Sequence, residues 1–119
     1  MGKETKKSIR AAFRRSVFKR AGYRCECCGK IGYDRQEDPV RDREPLDAHH
    51  ITNRKEFEHG GYNDANGISV CDDCHVLAEK FHETGLSHPG FSPEELYSKI
   101  NSSYDEAKRL DERSQNVKK

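Results

Sequence analysis

The chain has no tryptophan, a single methionine and only 32% hydrophobic residues against 36% charged ones. With so little apolar material, 119 residues can build one domain with a modest core, and another source of stability is called for. No apolar run is long enough to span a bilayer. The segment from Met1 to Lys7 has no signal-peptide apolar core. These absences predict a cytosolic location without membrane partners, where thiols stay reduced and cysteine pairs bind metal instead of forming disulfides. Internal repeats, heptads and low-complexity tracts are also missing. A strong net charge is lacking too, at +1, but its distribution is uneven. Residues 1–30 carry ten basic and two acidic residues, net +8, leaving twelve against nineteen, net −7, for the remainder. Such polarity suits a polyanion on one side of the molecule, and equally suits a solvated terminal helix.

Ile9, Phe13 and Val17 recur every four residues beside Phe18, which predicts a basic helix over 8–21 stopped by Gly22. Residues 32–45, charged and containing Pro39 and Pro45, read as a loop excursion. Leu46–Ile51 reads as a strand, 52–66 as a loop, and 67–71 as a second strand by its alternation. A helix follows to about Glu83, capped by Asp72 or Asp73 and ended by Gly85. Ser92-Pro93-Glu94-Glu95 begins a final helix, whose stripe of Leu96, Ile100, Tyr104, Ala107 and Leu110 extends to residue 113. Beyond Arg113 a frayed tail is expected.

Cys25 and Cys28 form one C-x2-C pair and Cys71 and Cys74 another, with 42 residues between the pairs. A two-residue spacer lets both sulfurs of a pair reach one ion, and four thiolates close a tetrahedral zinc shell. The predicted site is therefore structural, worth on the order of 10 kcal/mol to folding. Cys27 is left over. It could substitute for Cys28, but only the C-x2-C spacing matches the second pair.

Three segments carry chemistry: Asp47-Ala48-His49-His50-Ile51, then Asn66-Gly67-Ile68, then Cys71 to His75. The order His50, Asn66, His75, interleaved with two C-x2-C pairs and with Gly60-Gly61 ahead of the Asn66 segment, resembles the signature of the HNH endonucleases. The likeness is to their zinc-bearing branch, common in phage and bacterial genomes, and covers about residues 14–82. It implies an α+β fold, a small ββα-metal, treble-clef-like domain with structural zinc over 23–85. The basic helix at 1–22 and an amphipathic helix and tail at 86–119 would flank it. The resemblance further implies His50 as general base, His49 and His75 as ligands of a catalytic divalent cation, and Asn66 as the residue that orients the base-bearing loop. DNA would be the substrate, cut to 5′-phosphate and 3′-hydroxyl ends.

Elementary chemistry agrees with those roles. A neutral histidine can take a proton from water near physiological pH, and a bound cation stabilises the leaving oxygen. Imidazole ligands admit Mg²⁺, Mn²⁺, Ni²⁺ or Zn²⁺. Glu79 and His82 lie on the helix face of His75 and could complete the metal shell or belong to a solvated surface. Asp47 is a candidate partner of a histidine, and Arg54 a candidate phosphate contact. Arg10, Arg14, Arg15, Lys19 and Arg20 would supply DNA-backbone contacts. His49 and His50 should face opposite sides of a strand, so the strand is expected to end or kink there. Two other functions stay open: a non-catalytic zinc module that binds nucleic acid, and an interaction protein whose last helix docks a partner such as a phage terminase.

Overall fold

A computed structural model describes residues 5–114 as a small α+β molecule with four helices and one three-stranded sheet. Helix α1 spans Lys6–Ala21. It starts on a capping box in which Thr5 accepts from the Ser8 amide and Ser8 answers to Thr5. It ends at Gly22, whose φ of 64° is the left-handed cap that glycine adopts without strain. Ile9, Phe13, Val17 and Phe18 are buried along one face, as the four-residue recurrence predicts.

The sheet order is β1 (Gly32–Asp34), β2 (Glu44–His50), β3 (Gly67–Cys71), with β1 and β2 parallel and β2 and β3 antiparallel. The pairing Leu46 to Cys71 through His50 to Gly67 brings the histidine pair beside the residues that follow Asn66. Three readings of this region need correction. The 32–45 excursion contains strand β1, held because Asp34 is buried and takes an ion pair from Arg14 at 3.3 Å. The strand predicted from Leu46 begins two residues earlier and stops at His50. The 52–66 loop contains two single-turn 3-10 helices, Arg54–Glu56 and Asp64–Asn66.

The buried side chains of α1 pack tightly against this sheet at Gly67. A Cβ on Gly67 would fall 2.5 Å from Val17 Cγ2 and 2.7 Å from the Phe13 ring. Arg20 fastens the same junction, pairing with Glu26 and donating to the carbonyls of Asp64 and Gly67, while Glu26 accepts from the Ser69 amide at 2.9 Å.

Helix α2 (Asp72–Thr84) follows β3 without a turn. Its N-cap is Cys71, not Asp72 or Asp73. The two acids instead occupy the first turn, where their charge complements the helix dipole. The final helix is two helices, α3 (Pro93–Lys99) and α4 (Tyr104–Glu112). The break falls where Asn101 takes a positive φ of 56° and Ser103 accepts from the Glu106 amide, capping a new start. Leu96 and Ala107 are buried, Ile100 and Leu110 are half-buried, and Tyr104 stays exposed. The stripe therefore packs largely on its own domain. The expected frayed tail lies, from residue 115, outside the described residues. Among those described, no helix is long and apolar enough to cross a membrane.

Candidate functional site

The Cys25–Cys28 turn and the β3–α2 junction meet. One sulfur from each of Cys25, Cys28, Cys71 and Cys74 lies within 4.8 Å of the others, and none forms a disulfide. The Cys28–Cys71 sulfur separation of 3.6 Å is close to the roughly 3.8 Å edge of a tetrahedron with 2.3 Å zinc–sulfur bonds. The Cys28 amide points at Cys25 Sγ (3.4 Å), and Gly29 turns the chain at φ 84°. The cluster could bind zinc with a closed shell, the arrangement of a structural site. Cys27 stands outside it, but its neighbouring thiol favours the thiolate form of Cys25, while burial pushes Cys28 and Cys74 of the same cluster upward. Thiolate character at Cys25 favours metal ligation.

A second group forms on the α2 side of β2. His49 is buried, and its Nδ1 lies 3.0 Å from Glu79 Oε2. Neither ring nitrogen of His49 is aligned for a hydrogen bond. An orphaned nitrogen at that distance from a carboxylate oxygen is how two ligands of one cation sit, since bonds of about 2.1 Å at right angles separate donors by about 3.0 Å. His82 completes the set: one donor from each of His49, Glu79 and His82 lies within 4.8 Å of the others. Contact with His49 holds the Glu79 carboxyl down to about 2 despite partial burial. Burial pushes His49 downward, so both stay in the metal-binding form near neutral pH.

His75 is adjacent but differently engaged. Its Nδ1 faces Asp47 Oδ2 and its Nε2 faces Glu79 Oε2, each at 3.4 Å. The Asp47 hydrogen bond raises its pKa against the pull of burial. The donor set therefore centres on His49, Glu79 and His82, with His75 beside it between two carboxylates. Asp47 in turn pairs with Arg35, which also reaches Asp72.

His50 faces the opposite side of β2. Its ring stacks on Phe13 at a centroid distance of 4.5 Å and meets the edge of Tyr62 at 5.0 Å. Its Nε2 is buried and unpartnered. Burial first, and the Arg54 charge second, push it down to about 3, so it is a neutral imidazole. Because β2 stops at His50, the two faces meet at the strand's end. There His49, His50, His75, Glu79 and His82 border one cavity of about 670 Å³. His82 Nε2 lies 2.9 Å from the His50 carbonyl, linking the two groups directly.

Asn66, fully buried, pins the chain that leaves His50. Its side chain accepts from the Thr52 amide (2.9 Å) and donates to the carbonyls of Thr52 (3.1 Å) and Gly61 (3.2 Å). Tyr97 of α3 donates to the same Asn66 oxygen at 2.8 Å, so the Thr52 hydroxyl, 2.7 Å away, must be the donor to Tyr97.

The lining of the cavity also includes Lys6, Arg10, Arg54 and Lys55. The cations expected along α1 separate into two groups. Arg10 reaches the cavity, and Arg15 and Lys19 are exposed. Arg14 and Arg20 are taken up by Asp34 and Glu26 and serve the fold. Tyr62 has no counterpart among the sequence candidates; aromatic spacing gives it no signal, and only tertiary contact with His50 singles it out. Comparison with protein-family models, curated proteins and solved structures finds no match to this chain.

Proposed function

We propose that this protein is an HNH-type endonuclease that hydrolyses DNA phosphodiester bonds with one divalent cation. One observation carries the reading: a neutral, unpartnered histidine nitrogen, a three-residue cation-ligand set and four basic side chains converge on a single cavity. The basic lining attracts the phosphate backbone of DNA. His50 then takes a proton from a water as its oxygen bonds to phosphorus and the P–O3′ bond breaks, the departing O3′ taking its proton from solvent water. Approach of the phosphodiester's negative charge raises the proton affinity of His50 towards the working range. Stacking on Phe13 fixes the plane of the base, and Asn66 fixes the chain behind it. His49, Glu79 and His82 would hold the cation, with His75 alongside; when bound, it supplies Lewis-acid stabilisation of the leaving oxygen. The four-cysteine cluster would hold zinc solely for folding.

The test is nicking of supercoiled plasmid by wild type and His50→Ala in EDTA, Mg²⁺, Mn²⁺ and Ni²⁺. Cation-dependent conversion to open-circular or linear DNA by wild type alone is expected. If neither protein cuts with any cation while both retain zinc and bind DNA, the chain is a binding module and the nuclease reading is wrong.

A further inference from the structure

The loop that carries Tyr62 into the cavity is held from outside the site by α4. Asp111, buried at 2% exposure, accepts from the His59 amide at 3.0 Å and from the Gly61 amide at 2.8 Å. Gly60 and Gly61 between and beside these contacts have φ of 88° and 66°. The left-handed Gly60 lies between the two amides and lets both face one acceptor, and a buried carboxylate can take both. α4 grips the loop at two further points. Asn63 Nδ2 donates to the Ala107 carbonyl at 3.2 Å, and the rings of Phe57 and Tyr104 lie 5.7 Å apart.

Tyr62 stands in the middle of these holds. Its ring meets His50 and Phe13 edge-on, at 5.0 and 5.8 Å, and its hydroxyl accepts from Arg54 Nη1 at 2.8 Å. Although burial pushes its phenol upward, the hydrogen bonds from Arg54 and Arg10 bring it below the usual value. Tyr62 thus meets the ring of the proposed base with its own ring and a cavity cation with its hydroxyl. Gly61 is shared as well: its amide goes to Asp111 and its carbonyl to Asn66, so the turn is fixed from both sides.

We propose that Asp111 is a positioning residue for the cavity, acting through the Gly60–Gly61 turn to set Tyr62 against His50 and Arg54, so that the site is incomplete without α4. The consequence for cleavage rests on the nuclease reading; the placement of Tyr62 does not. Without the carboxylate, the buried Gly61 amide and the half-buried His59 amide lose their acceptor and the turn must reopen towards water.

The experiment uses the full chain with Asp111→Ala, Asp111→Asn, Tyr62→Leu and the Asp111→Ala/Tyr62→Leu pair, after zinc content and melting have been checked. The first readout is the His50 ring-proton resonances, which sense the Tyr62 ring current. Asp111→Ala should move them in the same direction as Tyr62→Leu, and Asp111→Asn, which keeps one acceptor, should move them less. The second readout is nicking. Asp111→Ala should lower kcat by roughly tenfold with KM nearly unchanged, and the pair should be no slower than Tyr62→Leu alone. Unmoved His50 resonances in folded Asp111→Ala overturn the proposal, whether or not DNA is cut. So does an additive double variant in a protein that nicks. A wild type that never nicks, with the resonances moving as expected, discards the nuclease reading and leaves the positioning role of Asp111 established.

Discussion

Replacing Asn66 by alanine should cost this protein a large share of its stability. Asn66 is fully buried and its side chain makes four hydrogen bonds, to the amide and carbonyl of Thr52, the carbonyl of Gly61 and the hydroxyl of Tyr97. At about 1 kcal/mol each, their loss amounts to about 4 kcal/mol, and the stranded buried groups add to it. A domain of this size has roughly 5–15 kcal/mol in all, so melting should fall by on the order of 15 °C. Asn66→Asp separates shape from hydrogen-bonding sense. It keeps the acceptor for Thr52 and Tyr97 but turns a carboxylate oxygen towards two carbonyls that need a donor. At pH 7 it should be at least as unstable as Asn66→Ala, and should recover as the pH falls and its carboxyl takes up a proton. Urea unfolding of the three zinc-loaded proteins at pH 7 and pH 5 measures both effects. A loss below about 1 kcal/mol in Asn66→Ala would refute the reasoning, because the post-His50 chain would then be held by something else.

Three further outcomes are expected. His50 is depressed from 6.5 to about 3, so its contribution is complete above its unfolded value and is lost as pH falls from there towards 3. By linkage this removes about 2 kcal/mol between pH 7 and pH 5. His50→Phe, which keeps the stack on Phe13, should lack that acid sensitivity in cation-free urea titrations compared with wild type. Cys71→Ser should lose zinc and its fold together, because a contribution on the order of 10 kcal/mol rivals the whole stability of the domain; zinc analysis and circular dichroism read this directly. Gly67→Ala should destabilise by roughly 1–3 kcal/mol, since α1 must move off a Cβ lying 2.5 Å from Val17; thermal melting measures the shift.

Much of the scaffold is legible in the sequence because its determinants are local. The period of Ile9, Phe13 and Val17 marks α1, Gly22 and Gly85 mark two helix ends, and the paired C-x2-C spacing marks the cluster. What escaped depends on distant partners. β1 is three residues long and holds only because Asp34 finds Arg14 and the strand finds β2. The split between α3 and α4 turns on the left-handed Asn101, which a continuous apolar stripe conceals. In the cavity, the spacing of Glu79 and His82 on α2 places them on one face, but their assembly with His49 is a tertiary fact. Tyr62 enters on an irregular loop and Asp111 through its contact with that loop from α4, and neither leaves a periodic signal in the sequence.

The uneven exposure of the four clustered thiols sets how the protein would lose a bound metal. Cys25, Cys71 and Cys74 are at most 7% exposed, whereas Cys28 is open to solvent. A competing chelator or an alkylating reagent would therefore meet Cys28 first and peel the ion away from the 25–28 knuckle, while β3 and α2 still enclosed the other ligands. Metal exchange would then follow the local opening of one tight turn, with a rate that scales with chelator concentration, and would run ahead of global unfolding. A bound ion would also cross-link two segments separated by 42 residues, so its loss would remove the closure of a long loop and raise the entropy gained on unfolding.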